Sequence, residues 1–477
     1  MSTEQADGAI VRQAGLLLGA SAFVVLILLP PPSGLPDKAW SVTALAVLMA
    51  AWWLTEAVPL AATALLPIVL LPLLGIRTID DAATAYANPL VFLFLGGFIV
   101  ARGLERWSLH RRIAMLIIGL APSGSGGLVA ALMLATAFLS MWISNTAAAM
   151  VMLPIATAVS GAGRGPKDLE AALVLAVAFA ATIGGMGTII GTPPNALLVG
   201  YLERVHDVSI GFGQWMLLGL PVVLCLLPAG WLLLTRLAFD LRESAARPEP
   251  SATALGLAGT GRLASGALRT AVIATLAGLA LVVRPYADSF LPIPMGDAGI
   301  AMTAALLLMI VPAGGLASER LVDWACVSTI RWDVLILFGG GLALADSIDA
   351  TGLSQAIGST VSELDALPVA AVVLIAMAAM VYLGELASNT AMAAVFIPIA
   401  GAAAPALGVS VSELAIPIGL AASLGFMLPV ATPPNAIAYG TGKVTGQQML
   451  KAGALFDVVS ILIVFAMAQL LVPLLVR

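Results

Sequence analysis

The sequence predicts an all-α polytopic membrane protein built from an inverted repeat, and three observations lead there. Of 477 residues, 61% are hydrophobic and 10% charged, against about 45–50% and about 25% in an ordinary soluble domain. Apolar runs of bilayer length, about 20 residues at 1.5 Å each, follow one another with little intervening loop. Two longer runs carry Ser-Asn-Thr near their middles, with Ser144 and Ser388 244 residues apart. A mean hydropathy of +1.06 excludes a water-soluble globule. The 47 Gly and 29 Pro fit helices in lipid, which tolerate both better than helices in water. With 21 Lys+Arg against 26 Asp+Glu, no basic stripe is available for a nucleic acid. Cys225 and Cys326 lie far apart in apolar sequence, so no disulfide framework or metal motif is legible.

The first run, 11–30, follows acidic residues and a single Arg and leads into a Pro-rich turn, so it reads as a retained span rather than a cleaved signal. Spans then follow at 39–57, 58–75 and 88–105. The run 127–159 would measure about 50 Å as one helix, too long for a hydrocarbon core of about 30 Å. It is expected to be a re-entrant hairpin turning at Ser144-Asn145-Thr146. A broken helix at 168–200 and a span at 213–238 complete the first half. After a soluble cytoplasmic link at 239–267, the second half repeats the order. It has spans at 268–286, 296–313 and 333–350, a hairpin at 368–405, a broken helix at 411–440 and a last span at 451–476.

The repetition holds in register. Pro154 and Pro398 are 244 apart, Gly96 and Gly339 243, and Thr192 and Thr432 240. The repeats cover 39–238 and 268–477, preceded by an N-terminal helix and outer turn at 1–38. Each holds five spans and a hairpin, and an odd number of spans inverts the second repeat in the membrane, which is a transporter signature. With about eleven spans and the N-terminus inside, 16 basic residues fall on the cytoplasmic side and 5 outside, as the positive-inside rule requires. The C-terminus is then outside. The basic segment 102–112 reads either as a helix along the inner interface or as a solvated loop.

Polar side chains at midplane depth are costly, so the two triplets ask for a reason. Ser, Asn and Thr are helix N-cap formers, and at a hairpin tip they end one half-helix and begin the next. The second half-helix then points free N–H groups and a positive dipole end at the centre of the protein, a site for an anion without Lys or Arg. The competing reading is that the triplets only hydrogen-bond helices together. Gly191-Thr192-Pro193-Pro194-Asn195 and Ala431-Thr432-Pro433-Pro434-Asn435 form the other pair. Consecutive prolines remove two N–H donors and free carbonyls one turn back, at Ile189, Ile190, Pro429 and Val430. Unwound carbonyls beside hydroxyl and amide oxygens suit a hard monovalent cation such as sodium. Gly184 to Gly187 and Gly425 would let backbones approach.

SNTAAAMVMLPI with GTPPN and SNTAMAAVFIPI with ATPPN resemble the divalent anion/sodium symporters, which carry dicarboxylates, tricarboxylates or sulfate. The whole chain fits that family's plan of eleven spans plus two hairpins. The resemblance implies an elevator-type homodimer in the inner (plasma) membrane, with no cofactor and with sodium as coupling ion. It implies C4 dicarboxylates such as succinate, fumarate and malate as substrates. It places substrate contacts on Ser144, Asn145, Thr146, Ser388, Asn389, Thr390, Thr432 and Pro433. A first sodium site falls on Ser140, Ser144, Asn145 and Gly191, and a second on Ala387, Asn389 and Ala431. One departure concerns the second site. Gly384 stands where the first repeat has Ser140, and a glycine offers no side-chain oxygen. Sodium-independent exchange of dicarboxylates is therefore the alternative mechanism.

The next residue, Glu385, does not share a helix face with position 384, and pairing at a helix end is its ordinary reading. The glycines of FLGGF and FGGGL are expected to allow close helix packing. Glu56 sits at a span end, where pairing or snorkelling is the default. Trp40, Trp52, Trp53, Trp107 and Trp332 read as interfacial anchors. An intramembrane enzyme would need a nucleophile and base at depth, yet neither His110 nor His206 lies in an expected span. A channel would not require two tips meeting at a closed site.

Overall fold

A computed structural model describes residues 3–122, 124–159, 167–239, 241, 264–287, 295–314, 319–361 and 367–476. Most of the link 239–267 lies outside these residues, as do Arg164, Arg242, Arg247, Arg262, Glu363, Asp365 and Arg477. The described residues are helical throughout, with a single isolated β-bridge between Pro312 and Arg320. Helices are one of the two architectures that satisfy every backbone polar group inside lipid.

The chain opens with α1 (Thr3–Leu28), α2 (Asp37–Leu54), α3 (Leu60–Ala64) and α4 (Leu66–Leu73). It continues with α5 (Ile79–Thr84), α6 (Pro89–Arg106) and α7 (Leu109–Gly119). The expected span 58–75 is thus two short helices joined at Leu65, with Pro59 before the first and Pro67 starting the second. Asn88 caps α6 by accepting the Leu90 N–H, and Pro89 fills the first helical position. The basic segment 102–112 is not a solvated loop. It is the end of α6, a turn with Ser108 at φ 51°, and the start of α7.

Next come α8 (Ser125–Ser140), α9 (Asn145–Val159), α10 (Lys167–Gly185), α11 (Pro193–His206) and α12 (Phe212–Leu232), the last extended by a π-helical turn. The second half has α13 (Ser265–Ala287), α14 (Asp297–Ile310), α15 (Trp324–Val327), α16 (Trp332–Ala350) and α17 (Leu353–Val361). It closes with α18 (Val369–Gly384), α19 (Asn389–Ala403), α20 (Val411–Ala421), α21 (Pro433–Gly440) and α22 (Gly446–Leu475). Both long apolar runs are therefore helix–turn–helix pairs turning just before the Ser-Asn step or at it. Both TPPN segments interrupt a helix and start a new one at the first proline. Six described helices are long and apolar enough to cross a bilayer, or seven counting the pair α16 and α17, bent by 77°. Several of the other expected spans are shorter helices, because proline or a turn divides them.

The core is built around α10, whose residues are buried without interruption from Leu169 to its end at Gly185. A helix apolar on all sides is one enclosed by other helices. It packs on α8, α9 and α12 of its own half and on α21 of the other, while α11 packs on α19 and α20, so the halves interlock. Phe179 of α10 stacks on Phe456 of α22 with centroids 5.4 Å apart and meets Phe426 edge-on at 5.0 Å. Gly96 lies against the backbone of Ala301, where a Cβ would come within 2.6 Å of a carbonyl carbon, so the packing reading of FLGGF holds. Trp53 departs from expectation. It is fully buried and donates to Leu60 O at 3.1 Å, so it is a core residue rather than an interfacial anchor. At the far end of α11, Arg204 Nε donates to Asp346 Oδ2 of α16 at 2.5 Å and its Nη2 to Thr84 Oγ1 at 2.9 Å.

Candidate functional site

One cavity of about 800 Å³ collects both triplets and both TPP segments. Ser144, Asn145, Thr146 and Gly191-Thr192-Pro193 line it from the first half. Ala387, Ser388, Asn389, Thr390 and Ala431-Thr432-Pro433 line it from the second. Sequence positions some 240 residues apart are thus brought together, with the starts of α9, α11, α19 and α21 all on its wall. Ser144 Oγ accepts the Ala147 N–H at 3.2 Å, capping α9, and Thr432 Oγ1 accepts the Asn435 N–H at 3.3 Å, capping α21. Ser388 makes no such cap bond.

Ser140 is buried directly behind the first tip. Its hydroxyl lies 2.6 Å from both Asn145 Oδ1 and Ala181 O. With the Asn145 amide turned over, Nδ2 instead donates to Ser140 Oγ at 2.6 Å, Ala181 O at 3.1 Å and Gly191 O at 3.2 Å. Which way an amide points follows from its partners. With oxygen inward, oxygens of Ser140, Asn145, Ala181 and Gly191 gather with a single hydroxyl proton among them. That donor set fits a hard monovalent cation. Gly185 and Gly191 make the approach possible. A Cβ on Gly185 would lie 2.5 Å from Asn145 Oδ1, and one on Gly191 2.4 Å from Gly185 O.

In the second half, Asn389 Nδ2 donates to Leu424 O at 3.2 Å, while Asn389 Oδ1 is buried without a partner. An orphaned buried carbonyl oxygen is costly unless something fills its lone pairs, so this half also fits a cation. Gly425 adopts φ 142°, a conformation L side chains rarely take, and lets the loop pass Ala431.

The motif asparagines close each break. Asn195 Nδ2 donates to Gly185 O at 3.1 Å and Thr188 O at 2.8 Å, and Asn435 Nδ2 to Gly425 O at 3.2 Å and Leu428 O at 3.1 Å. Both amides thus bond carbonyls seven and ten residues upstream in each half. Glu385 is also resolved: it is fully buried, and its carboxylate accepts the N–H of Met427 at 2.9 Å and of Leu428 at 2.7 Å. Asp457, which gave no sequence signal inside the last apolar run, accepts the adjoining Phe426 N–H at 3.1 Å. Two carboxylates therefore hold three successive amides of the second break.

The charged side chains on the cavity wall are Arg12, Glu56, Arg331 and Asp333, with Arg331 and Asp333 paired at 2.7 Å. None is on a tip. Of the four, only Glu56 was singled out in the sequence; Arg331 and Asp333 sit at the start of α16, where charge is ordinary. The tips therefore offer an anion helix N-termini and uncharged donors.

Comparison with known proteins agrees with this architecture. The sodium-dependent dicarboxylate transporter SdcS of Staphylococcus saprophyticus is 36% identical over 472 residues, covering 96% of this chain and 91% of the relative. SdcS of Staphylococcus aureus strain USA300 is 38% identical over 474 residues with the same coverage. Among solved structures, the Alcanivorax borkumensis YdaH transporter shares the fold at a TM-score of 0.62 and 14% identity, over 92% of this chain and 98% of that one. Neisseria gonorrhoeae MtrF does so at 0.62 and 13%, over 98% and 95%. Residues 11–477 match the family described as the sodium:sulfate symporter transmembrane region. With that match spanning nearly its whole length, the chain is a multi-pass membrane transporter, not an enzyme, and belongs to the sodium:sulfate symporter family.

Proposed function

We propose that this protein couples sodium to the uptake of C4 dicarboxylates such as succinate, fumarate and malate across the inner membrane. The observation that carries this reading is the convergence of two Ser-Asn-Thr tips and two broken-helix N-termini on one cavity. A four-carbon dianion has a carboxylate at each end, and each tip offers an N-terminal helix end for one of them. The cavity is of the size that encloses small molecules. Substrate contacts are Ser144, Asn145, Thr146, Ser388, Asn389, Thr390, Thr432 and Pro433. The first sodium site uses Ser140, Ser144, Asn145 and Gly191, and the second Ala387, Asn389 and Ala431. Cation charge next to each tip offsets the repulsion between the entering dianion and the cavity's own oxygens. The names of the SdcS relatives support both the sodium and the dicarboxylate.

In this reading the chain is an inverted pair of repeats, 39–238 and 268–477, with about eleven spans and two re-entrant hairpins. It works as a homodimer by an elevator movement. Gly384 favours a second mechanism, sodium-independent exchange within the same fold.

Substrate class is tested by thermal unfolding of the purified protein in sodium. Succinate, fumarate and malate are expected to raise the melting temperature, since a hundredfold excess over Kd stabilises the folded protein by about 2.7 kcal/mol, and the monoanion propionate is expected not to. Equal stabilisation by propionate would contradict a two-carboxylate site.

A further inference from the structure

The second sodium site lacks the hydroxyl that Ser140 gives the first, because position 384 is glycine. We propose that Ser423 supplies the missing oxygen from the other side of the site. Ser423 follows the end of α20, is 3% exposed, lines the same cavity, and its hydroxyl has no hydrogen-bond partner. A buried hydroxyl left unpaired is unfavourable by the desolvation of the group, so its presence on a cavity wall points to a ligand. The carbonyl of its chain neighbour Leu424 accepts from Asn389 Nδ2, and Asn389 Oδ1 is likewise buried without a partner. A Cβ added to Gly384 would meet that same Oδ1 at 3.3 Å. Gly384 thus adjoins this asparagine directly, and Ser423 adjoins it through the Leu424 carbonyl next to it in the chain. Two unpartnered oxygens, with backbone carbonyls beside them, form an oxygen set for a hard cation.

The first half carries a similar hydroxyl. Thr182, 241 residues earlier, is 1% exposed, lines the cavity and has no partner. There Ser140 already contributes a hydroxyl; in the second half Ser423 acts without such help. The assignment rests on the sodium reading above and adds to it one named ligand.

The test is a sodium titration, choline replacing sodium at constant ionic strength, of the melting temperature of purified full-length protein without substrate. Ser423→Ala should raise the half-stabilising sodium concentration about tenfold, the scale of one lost ligand. Ser423→Cys keeps the volume but offers sulfur, a poor ligand for a hard cation, and should behave alike. Adding Gly384→Ser to Ser423→Ala should bring the concentration back toward wild type. A wild type that responds to sodium, beside Ser423→Ala and Ser423→Cys variants that respond equally well, would overturn this assignment alone. A wild type indifferent to sodium would overturn the sodium reading and the assignment together. Should the alanine variant fail to fold, the cysteine variant decides by the same criterion.

Discussion

Asn145 and Asn389 each face both ways, toward the cavity and toward a neighbouring break. In the proposed site, alanine at either would remove an anion donor and a cation oxygen together. Succinate uptake is expected to fall at least about 100-fold, the effect of two lost polar contacts, with the protein still monodisperse. Wild-type uptake by such a folded variant would remove the residue from the site. Glu385 acts differently, by holding Met427 and Leu428 amides in the interior. Glu385→Leu leaves both unpaired at about 1–3 kcal/mol each, so the variant should melt several degrees below wild type in detergent. An unchanged melting temperature would mean that the two bonds are replaced locally. The triplets were legible in the sequence because polar residues inside apolar runs stand out. Ser423 and Asp457 were not, because a lone Ser or Asp has no motif, and the Phe426 amide that Asp457 accepts lies 31 residues away.

The broken helices are where sequence and structure agree most closely. Consecutive prolines cannot continue a helix, and α11 and α21 each start at the first of them. The upstream limits were less legible, since nothing in the residues before them says that Asn195 and Asn435 fold back onto residues 185–188 and 425–428. The tightness of these turns gives a further prediction. Gly191→Ala would set a Cβ 2.4 Å from Gly185 O, forcing backbone to shift at about 1–3 kcal/mol. Uptake should drop about tenfold or more, whereas Gly119→Ala, which meets open space, should leave it unchanged. Similar uptake in both variants would show that the close approach is not needed. Span lengths were read less well. Proline in the third expected span cuts a helix that composition alone shows as continuous.

Across the whole molecule, the recurrence of the Ser-Asn-Thr and Thr-Pro-Pro-Asn motifs lets one cavity gather four helix N-termini with no charge on either tip. Two copies of a tip and a break meet, and α10, enclosed by helices of both halves, with Phe179 against Phe426 and Phe456, fixes them relative to one another. Long-range interlocking of this kind follows from the repeat in outline only; which helices exchange partners had to come from the structure. The central claim is that this site couples sodium to dicarboxylate movement. Labelled succinate uptake into proteoliposomes tests it, measured with and without an inward sodium gradient and with and without unlabelled succinate inside. Accumulation into empty vesicles, driven by the sodium gradient and lost when choline replaces sodium, is the predicted result. Uptake that requires internal dicarboxylate and ignores sodium would contradict it and identify an exchanger.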